Sequence, residues 1–220
     1  MIPQFINQDL LATALTHRSA LNEQLSPSKE SNERLEFLGD AVLELITTQY
    51  LYHTCPQDPE GVLTAYRSAL VKTTTLAEVS AEMGLGEKLF MSKGEEATGG
   101  RENKGLLADT LEAVIGALFL DQGEERVRQF LDTNLFPKFT NIRQQKLYKD
   151  AKSHLQEFVQ SRGNSTPEYT VINEIGPDHD KEFTVQVAVG NELAGVGMGK
   201  SKQLAQQAAA DSALDKLGAR

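Results

Sequence analysis

The sequence predicts two folded parts, an all-α domain over residues 1–142 and a small α+β domain with the order α-β-β-β-α over residues 151–220. Apolar residues recur at helical spacing through the first part, and no alternating pattern typical of a strand occurs there. Alternating apolar residues first appear after Pro167. Between the two patterns, the polar stretch NIRQQKLYKD has no sustained apolar face and predicts a linker over residues 143–150.

Helical periodicity in the first part predicts a succession of helices. LLATALTHRSALNEQ is a short one, RLEFLGDAVLELITTQYLYHT is long and apolar, and EGVLTAYRSALVKTTTLAEVSAEMG holds one or two that end at Gly84. KGLLADTLEAVIGALFLDQG is strongly apolar and ends at Gly123, and EERVRQFLDTNLFPKF predicts a further amphipathic helix. The three glycines of SKGEEATGGREN predict a loop over residues 92–103.

The second part begins with an amphipathic helix, DAKSHLQEFVQSRG. Three antiparallel strands are predicted for PEYTVINEIG, KEFTVQVAVG and ELAGVGMG, and the second should point Val185 and Val187 to the same face. The closing helix SKQLAQQAAADSALDKLG has a predicted apolar stripe of Leu204, Ala208 or Ala209, Ala213 and Leu217. Two helices should therefore cover one face of the sheet.

Composition limits the classes to which the chain can belong. Its 220 residues are 40% hydrophobic and 24% charged, as in ordinary globular proteins. No apolar run approaches the roughly 18 residues of a membrane span, and MIPQFINQDL does not resemble an export signal, so we expect no membrane partner. The single cysteine, Cys55, excludes an intrachain disulfide, and the cytoplasm is the expected compartment.

The net charge of −9 argues against a protein that binds nucleic acid through bulk positive charge. A nucleic-acid-binding function would therefore depend on local basic residues, on bound divalent cations, or on both.

Acidic residues interrupt two of the most apolar predicted helices. NERLEFLGDAVLEL carries four acids spaced three or four residues apart: Glu33, Glu36, Asp40 and Glu44. LLADTLEAVIGALFLD adds Asp109 and Glu112 on one helical face. If the two helices pack side by side, four carboxylates can converge, and such oxygen ligands suit a hard divalent cation such as Mg²⁺. From pattern alone, a solvated face or a salt bridge stays open as the alternative, above all for Glu33 and Glu44.

The same residues carry a resemblance to a known family. NERLEFLGDAVLEL resembles the signature of ribonuclease III, in which ERLEFLGD opens a long central helix, and the match over residues 33–40 has no departure. LADTLEAVIGALFLD resembles the second acidic motif of that family, and THRSA is similar to its N-terminal segment. The α-β-β-β-α part resembles a double-stranded RNA-binding domain. The motifs follow the family's order over nearly the whole chain, so a ribonuclease III endonuclease domain is expected first.

The resemblance implies a Mg²⁺-dependent endonuclease that cuts both strands of duplex RNA and leaves 5′-phosphates, 3′-hydroxyls and short 3′ overhangs. Mn²⁺ is expected to substitute for Mg²⁺, and no nucleotide cofactor is expected. Precursor ribosomal RNA and structured messenger RNA are the substrates that the family suggests. Carried over from the family, the metal-site carboxylates are Glu36, Asp40, Asp109 and Glu112, with Asp40 and Glu112 as the catalytic residues.

The family resemblance also implies a symmetric homodimer with one cutting site in each subunit. Phe37, beside the acids, is predicted to contact the second subunit, with an intrachain core position as the alternative. Glu33 is a lesser candidate that could lie near the site or in a subunit contact. Glu60 matches an acidic family position near the active site, and Glu44 falls outside the signature.

Duplex RNA is recognised mainly by shape, through 2′-hydroxyl and phosphate contacts. The resemblance assigns these contacts to six residues: Gln156, Glu157, His179, Lys200, Ser201 and Lys202. Gln203 and Gln206 depart from the family, which usually has Lys or Arg at the first position and often at the second. From residue 150 onward, the sequence has seven Lys or Arg residues and ten Asp or Glu residues. The affinity of this domain for RNA should therefore be modest and only weakly salt-dependent.

Two alternatives to the nuclease are a non-cutting double-stranded RNA-binding protein and a helical protein-interaction module. The presence of all four carboxylates favours the nuclease, because a protein that only binds RNA gains nothing from acids that face phosphate. The two-domain order argues against the interaction module.

Overall fold

The chain folds as two compact units, Met1–Tyr148 and Lys149–Arg220. A computed structural model describes residues 2–23, 25–144, 151–177 and 181–219. The first unit is helical, and the second has the order α-β-β-β-α, so the predicted fold class is confirmed. Residues 145–150, which make up most of the predicted linker, lie outside the described residues.

The described part of the first unit contains eight α-helices. They are α1 (Gln8–Ala14), α2 (Arg18–Asn22), α3 (Glu33–Thr54), α4 (Glu60–Val71), α5 (Thr73–Glu82), α6 (Lys93–Ala97), α7 (Lys104–Asn134) and α8 (Pro137–Gln144). Helix α8 includes the first two residues of the predicted linker, 143 and 144. Among the described residues, no helix combines the length and apolarity that crossing a lipid bilayer requires.

Two local predictions in this unit are wrong, and a third is confirmed. The N-terminal stretch forms two helices instead of one. Between them, Thr16 forms an isolated parallel β-bridge with Phe90, and the His17 side chain caps the start of α2. At Gly123 the prediction is confirmed, because α7 consists of two helical segments that meet at a kink, where Gly123 has a φ of 78° and a ψ of −176°. Residues 92–103 contain helix α6, capped by the Ser92 side chain, and a 3-10 turn where a loop was expected.

Helices α3 and α7 cross at the centre of the first unit, and two glycines make their close approach feasible. A Cβ atom on Gly39 would overlap the carbonyl oxygen of Glu112, and one on Gly116 would overlap the carbonyl oxygen of Leu35. Around this crossing, large aliphatic side chains of both helices are completely buried, including Leu43, Ile46, Ile115 and Leu118. Burial of this apolar surface stabilises the crossing, which brings the two acidic motifs face to face.

The second unit comprises α9 (Ala151–Ser161), β1 (Glu168–Ile175), β2 (Glu182–Val189), β3 (Glu192–Gly199) and α10 (Lys202–Lys216). The strands form an antiparallel sheet in the order β1-β2-β3. Val185 and Val187 of β2 are completely buried in the core that the helices and the sheet share, which confirms the predicted inward face.

The predicted apolar stripe of α10 is partly wrong. Its buried residues are Ala205, Ala209, Ala210, Ala213 and Leu214, whereas Leu204 is 58% exposed and Leu217 is also exposed. The reason is the close approach of α10 to glycines of β3. A Cβ on Gly197 would overlap the backbone of α10, so small alanine side chains must face the sheet.

Candidate active site

Three carboxylates meet where α3 crosses α7. Ligand oxygens of Glu36, Asp109 and Glu112 all lie within 4.8 Å of one another, and the three residues are half-buried. Helix α7 begins after Asn103, whose side-chain oxygen accepts hydrogen bonds from two backbone N–H groups of the first turn. This cap sets where the helix starts and therefore which face presents Asp109 and Glu112 to α3.

Asp40, the fourth predicted ligand, lies one helical turn after Glu36 and is exposed. Its carboxylate is not part of the three-residue group. The Asp40 charge nevertheless raises the pKa of both Glu112 and Glu36, so the residue stands within electrostatic range of the cluster. The structure thus brings three of the four predicted carboxylates together and places the fourth at their edge.

Burial and mutual repulsion disfavour ionisation of the cluster. Burial, followed by the charges of Asp40, Asp109 and Glu36, raises the pKa of Glu112 to about 7. Burial and then the charge of Asp109 raise the pKa of Glu36, while burial raises the pKa of Asp109 against the opposing effect of His17. A divalent cation would offset this repulsion, and carboxylate oxygens are the ligands that Mg²⁺ prefers. The residues present therefore fit a hard divalent cation.

The raised pKa of Glu112 predicts how the stability of the metal-free protein depends on pH. Because the folded-state pKa is about 7 and the ordinary value is 4.5, the folded state binds this proton more tightly than the unfolded state. The bound proton therefore stabilises the folded state at acid pH, and this stabilisation is lost as the pH rises from about 4.5 to about 7. In EDTA above pH 7, Glu112→Gln should have a higher Tm than the wild type, and the difference should shrink toward about pH 5.

Calorimetric unfolding of both proteins across this pH range checks the prediction. A variant Tm at or below that of the wild type above pH 7 would contradict the proposed repulsion within the cluster.

A polar cleft of about 270 Å³ opens beside Glu36 and Asp109 and is also lined by His17 and Thr110. The His17 ring caps α2, where its Nδ1 lies 2.8 Å from the Ser19 hydroxyl. The THRSA segment pointed to this region, but no prediction assigned His17 to the site. Its proximity to Asp109 depends on the fold of residues distant in sequence, which spacing along the chain does not reveal.

The remaining acidic candidates lie outside the carboxylate cluster. Glu33 is exposed and pairs with Arg18 at 3.5 Å. Glu44 forms a 2.8 Å ion pair with Arg67 of α4, in agreement with the salt-bridge alternative. Glu60 is exposed at the start of α4 and accepts a hydrogen bond from the Thr64 hydroxyl.

Phe37 projects from α3 and is 82% exposed, so the alternative of an intrachain core position is wrong. Leu45 and Tyr52 of the same helix are also exposed, at 53% and 69%. Helical spacing places the three residues on one side of α3. This exposed apolar stripe is typical of a surface that contacts another molecule.

The structure describes five of the six predicted RNA-binding residues, and His179 lies outside the described residues. Gln156 and Glu157 are exposed on α9, and Lys200 and Lys202 are exposed around the start of α10. Ser201 caps α10 by accepting a hydrogen bond from the Leu204 N–H at 3.2 Å. The N-terminus of α10 thus presents two lysines and helix N–H groups, a combination that favours anions.

Gln206 has a structural partner that the sequence did not indicate. The Lys152 ammonium donates a hydrogen bond to the Gln206 side chain at 2.6 Å and lies 5.0 Å from the centre of the Tyr169 ring. Lys152 therefore supplies positive charge from α9 close to a position where the family often has a basic residue.

Comparisons with known proteins match each of the two units to a protein family. Residues 7–139 match the family model described as Ribonuclease-III-like, and residues 151–217 match the double-stranded RNA binding motif. Ribonuclease 3 of Anoxybacillus flavithermus is 49% identical over 218 residues, covering 97% of this chain and 89% of that protein. Ribonuclease 3 of Bacillus licheniformis is also 49% identical, over 219 residues, covering 97% of this chain and 86% of that protein.

The nuclease domain of ribonuclease III from Campylobacter jejuni superposes with a TM-score of 0.57 at 40% identity, covering 62% of this chain and 92% of that one. Fold, carboxylate cluster and comparisons together define the class, an endonuclease of double-stranded RNA with a separate RNA-binding domain. The chain belongs to the ribonuclease III family.

Proposed function

We propose that this protein is a Mg²⁺-dependent endoribonuclease that hydrolyses both strands of duplex RNA, leaving 5′-phosphates, 3′-hydroxyls and short 3′ overhangs. The observation that carries the proposal is the meeting of Glu36, Asp109 and Glu112 within 4.8 Å in a chain of this family. Mn²⁺ is proposed as a substitute, because it accepts the same oxygen ligands. Family membership and the cluster favour this function over a non-cutting RNA-binding protein.

In the proposed site, Glu36, Asp109 and Glu112 hold the cation, and Asp40 joins them from the edge of the cluster. When bound, Mg²⁺ would supply positive charge that polarises the scissile phosphate and acidifies the attacking water. Glu112 is the carboxylate whose ionisation depends most on the cation, since its pKa of about 7 reflects burial and four neighbouring acids. Asp40 is exposed and extends the site toward solvent, from which RNA would approach.

The proposed RNA contacts of the second domain lie in the three regions that the family resemblance assigns. Gln156 and Glu157 would bond 2′-hydroxyls, His179 would enter a minor groove, and Lys200, Ser201 and Lys202 would bind phosphates. Precursor ribosomal RNA and structured messenger RNA are the proposed substrates, and the cytoplasm is the proposed compartment. Because acids outnumber basic residues in this domain, its independent affinity for RNA should be modest.

A symmetric homodimer is proposed, with Phe37 as a contact between subunits. Support comes from the exposed stripe of α3 and from the related Campylobacter jejuni nuclease domain, which has a region involved in dimer formation. Phe37→Ala should weaken self-association by about tenfold or more, because exposed aromatic anchors dominate interfaces of this kind. Sedimentation equilibrium measures the effect, with Leu204→Ala, which removes another exposed apolar side chain, as the matched control. Equal association of wild type and Phe37→Ala would contradict the assignment.

The experiment that tests the proposed function is a gel assay of the purified protein on a long RNA duplex, with Mg²⁺ or with EDTA. The single strands of the same sequence serve as controls, and the product ends are identified by their sensitivity to phosphatase and their ability to ligate. Shortening of the duplex only with Mg²⁺, with ligatable 5′-phosphate ends, is expected. A duplex that is shifted but uncut under both conditions would instead identify a binding protein.

A further inference from the structure

The row of acids on α3 ends in an ion pair with α4. After Glu36 and Asp40, the next positions at the same helical spacing are Glu44 and Thr48. Both hold Arg67, whose Nε lies 2.8 Å from the Glu44 carboxylate and whose Nη1 donates to the Thr48 hydroxyl at 3.0 Å. A guanidinium is therefore fixed at the end of an otherwise acidic row.

The Arg67 guanidinium retains the capacity to bind an anion. It has five N–H donors, of which the contacts to Glu44 and Thr48 use two. Among the described residues, Arg67 makes one hydrogen bond, to Thr48, and one ion pair, with Glu44, and its side chain is 35% exposed. Because two contacts from α3 already orient the guanidinium plane, little side-chain entropy would be lost when the remaining donors engage a phosphate oxygen pair.

This ion pair lies close to the carboxylate cluster. The helical rise of 1.5 Å per residue places Glu44 about 6 Å and Thr48 about 12 Å along the axis from Asp40. An RNA strand that reaches Asp40 would therefore pass Arg67.

We propose that Arg67 binds a backbone phosphate of the duplex RNA next to the scissile phosphate, with Glu44 and Thr48 holding its guanidinium in place. The proposal rests on the proposed nuclease function and adds a substrate-positioning residue to it. RNA is a polyanion and must approach a surface that carries four carboxylates. A fixed cation beside them offsets part of this repulsion and aligns the strand without entering the carboxylate cluster.

A purely structural role, in which the pair only joins α3 to α4, leads to different expectations. Half-exposed ion pairs add little stability, and loss of either partner should then have the same effect. In the proposed role, Arg67→Ala removes a phosphate contact, whereas Glu44→Gln removes a negative charge and keeps a side-chain oxygen beside the Arg67 guanidinium. The two substitutions should therefore change the KM for duplex RNA in different ways.

Steady-state cleavage of one RNA duplex by the full-length variants tests the proposal, with kcat and KM measured over a range of salt concentrations. Arg67→Ala should raise KM about tenfold with kcat nearly unchanged, and should make the slope of log(kcat/KM) against log salt shallower by about one. Glu44→Gln should keep or lower KM. Arg128→Ala is the matched control, since Arg128 pairs with Glu124 at 2.8 Å with a side chain 30% exposed, and it should match the wild type.

An Arg67→Ala protein with the KM and salt slope of the wild type would overturn the proposal. Equal increases in KM for Arg67→Ala and Glu44→Gln, accompanied by a lower Tm in both, would also overturn it in favour of the structural role. A wild-type protein that leaves the duplex uncut with Mg²⁺ would overturn the proposed nuclease function itself, which distinguishes the two failures.

Discussion

Glu112→Gln is expected to lower the rate of duplex cleavage by at least about 10³-fold while sparing binding of the duplex. The substitution removes one charged ligand from a cluster whose three oxygens lie within 4.8 Å, and it does so without changing the size of the side chain. A neutral amide oxygen is a poorer ligand for a hard cation than a carboxylate. The loss should therefore appear in kcat, because the cation stabilises charge that develops only during the reaction.

The matched control for this substitution is Glu125→Gln, which changes an exposed acid on the same helix whose carboxylate accepts a hydrogen bond from Gln129 of the next turn. It should cleave as the wild type does. Single-turnover cleavage and a gel-shift assay with the same duplex measure the two properties separately. Cleavage that persists in Glu112→Gln would contradict the assignment of the site, and loss of binding together with a lowered Tm would indicate a folding defect instead.

Gly116→Ala is expected to lower the free energy of unfolding by about 3 kcal/mol and to abolish cleavage. Its new methyl group would overlap the Leu35 carbonyl oxygen and press against the backbone of Gly39, so that α3 and α7 must separate. The backbone cannot move away from the new methyl group as the end of a flexible side chain can, so overpacking against it costs more free energy. Because the acids of the site stand on these two helices, their separation should also spread the carboxylates apart.

Thermal unfolding should show the Tm of Gly116→Ala lower by about 6–12 °C. Gly61→Ala is the control, since a Cβ at this position of α4 would meet nothing within 4 Å. Replacing a helical glycine with alanine in open space should keep or raise the Tm. A Gly116→Ala protein with the stability and activity of the wild type would show that the helices do not depend on this close contact.

The pattern of acids in apolar helices predicted much of the site because α3 and α7 are regular and their spacing fixes which residues share a face. Glu36, Asp109 and Glu112 meet as that spacing suggested. What the spacing could not predict are contacts between distant segments. The β-bridge between Thr16 and Phe90 interrupts the first predicted helix, and no sequence pattern within that segment predicts this bridge.

Side-chain size explains the other differences between prediction and structure. A stripe of leucines is the usual mark of a buried helical face, yet α10 exposes Leu204 and buries alanines, because the glycines of β3 admit only small neighbours. The link between Glu44 and Arg67 likewise joins two helices whose packing angle the sequence does not specify. In each case, the information lies in two segments that must be considered together.

Calorimetric titration of Mg²⁺ into the wild-type protein and into Glu112→Gln, without RNA, tests most directly whether the carboxylate cluster binds the cation. The wild type should bind Mg²⁺ with an affinity that increases as the pH rises through about 7, because the cation displaces the proton that Glu112 holds at lower pH. Glu112→Gln should bind Mg²⁺ much more weakly and without this pH dependence. Equal binding of Mg²⁺ by both proteins would place the cation elsewhere and contradict the proposed site.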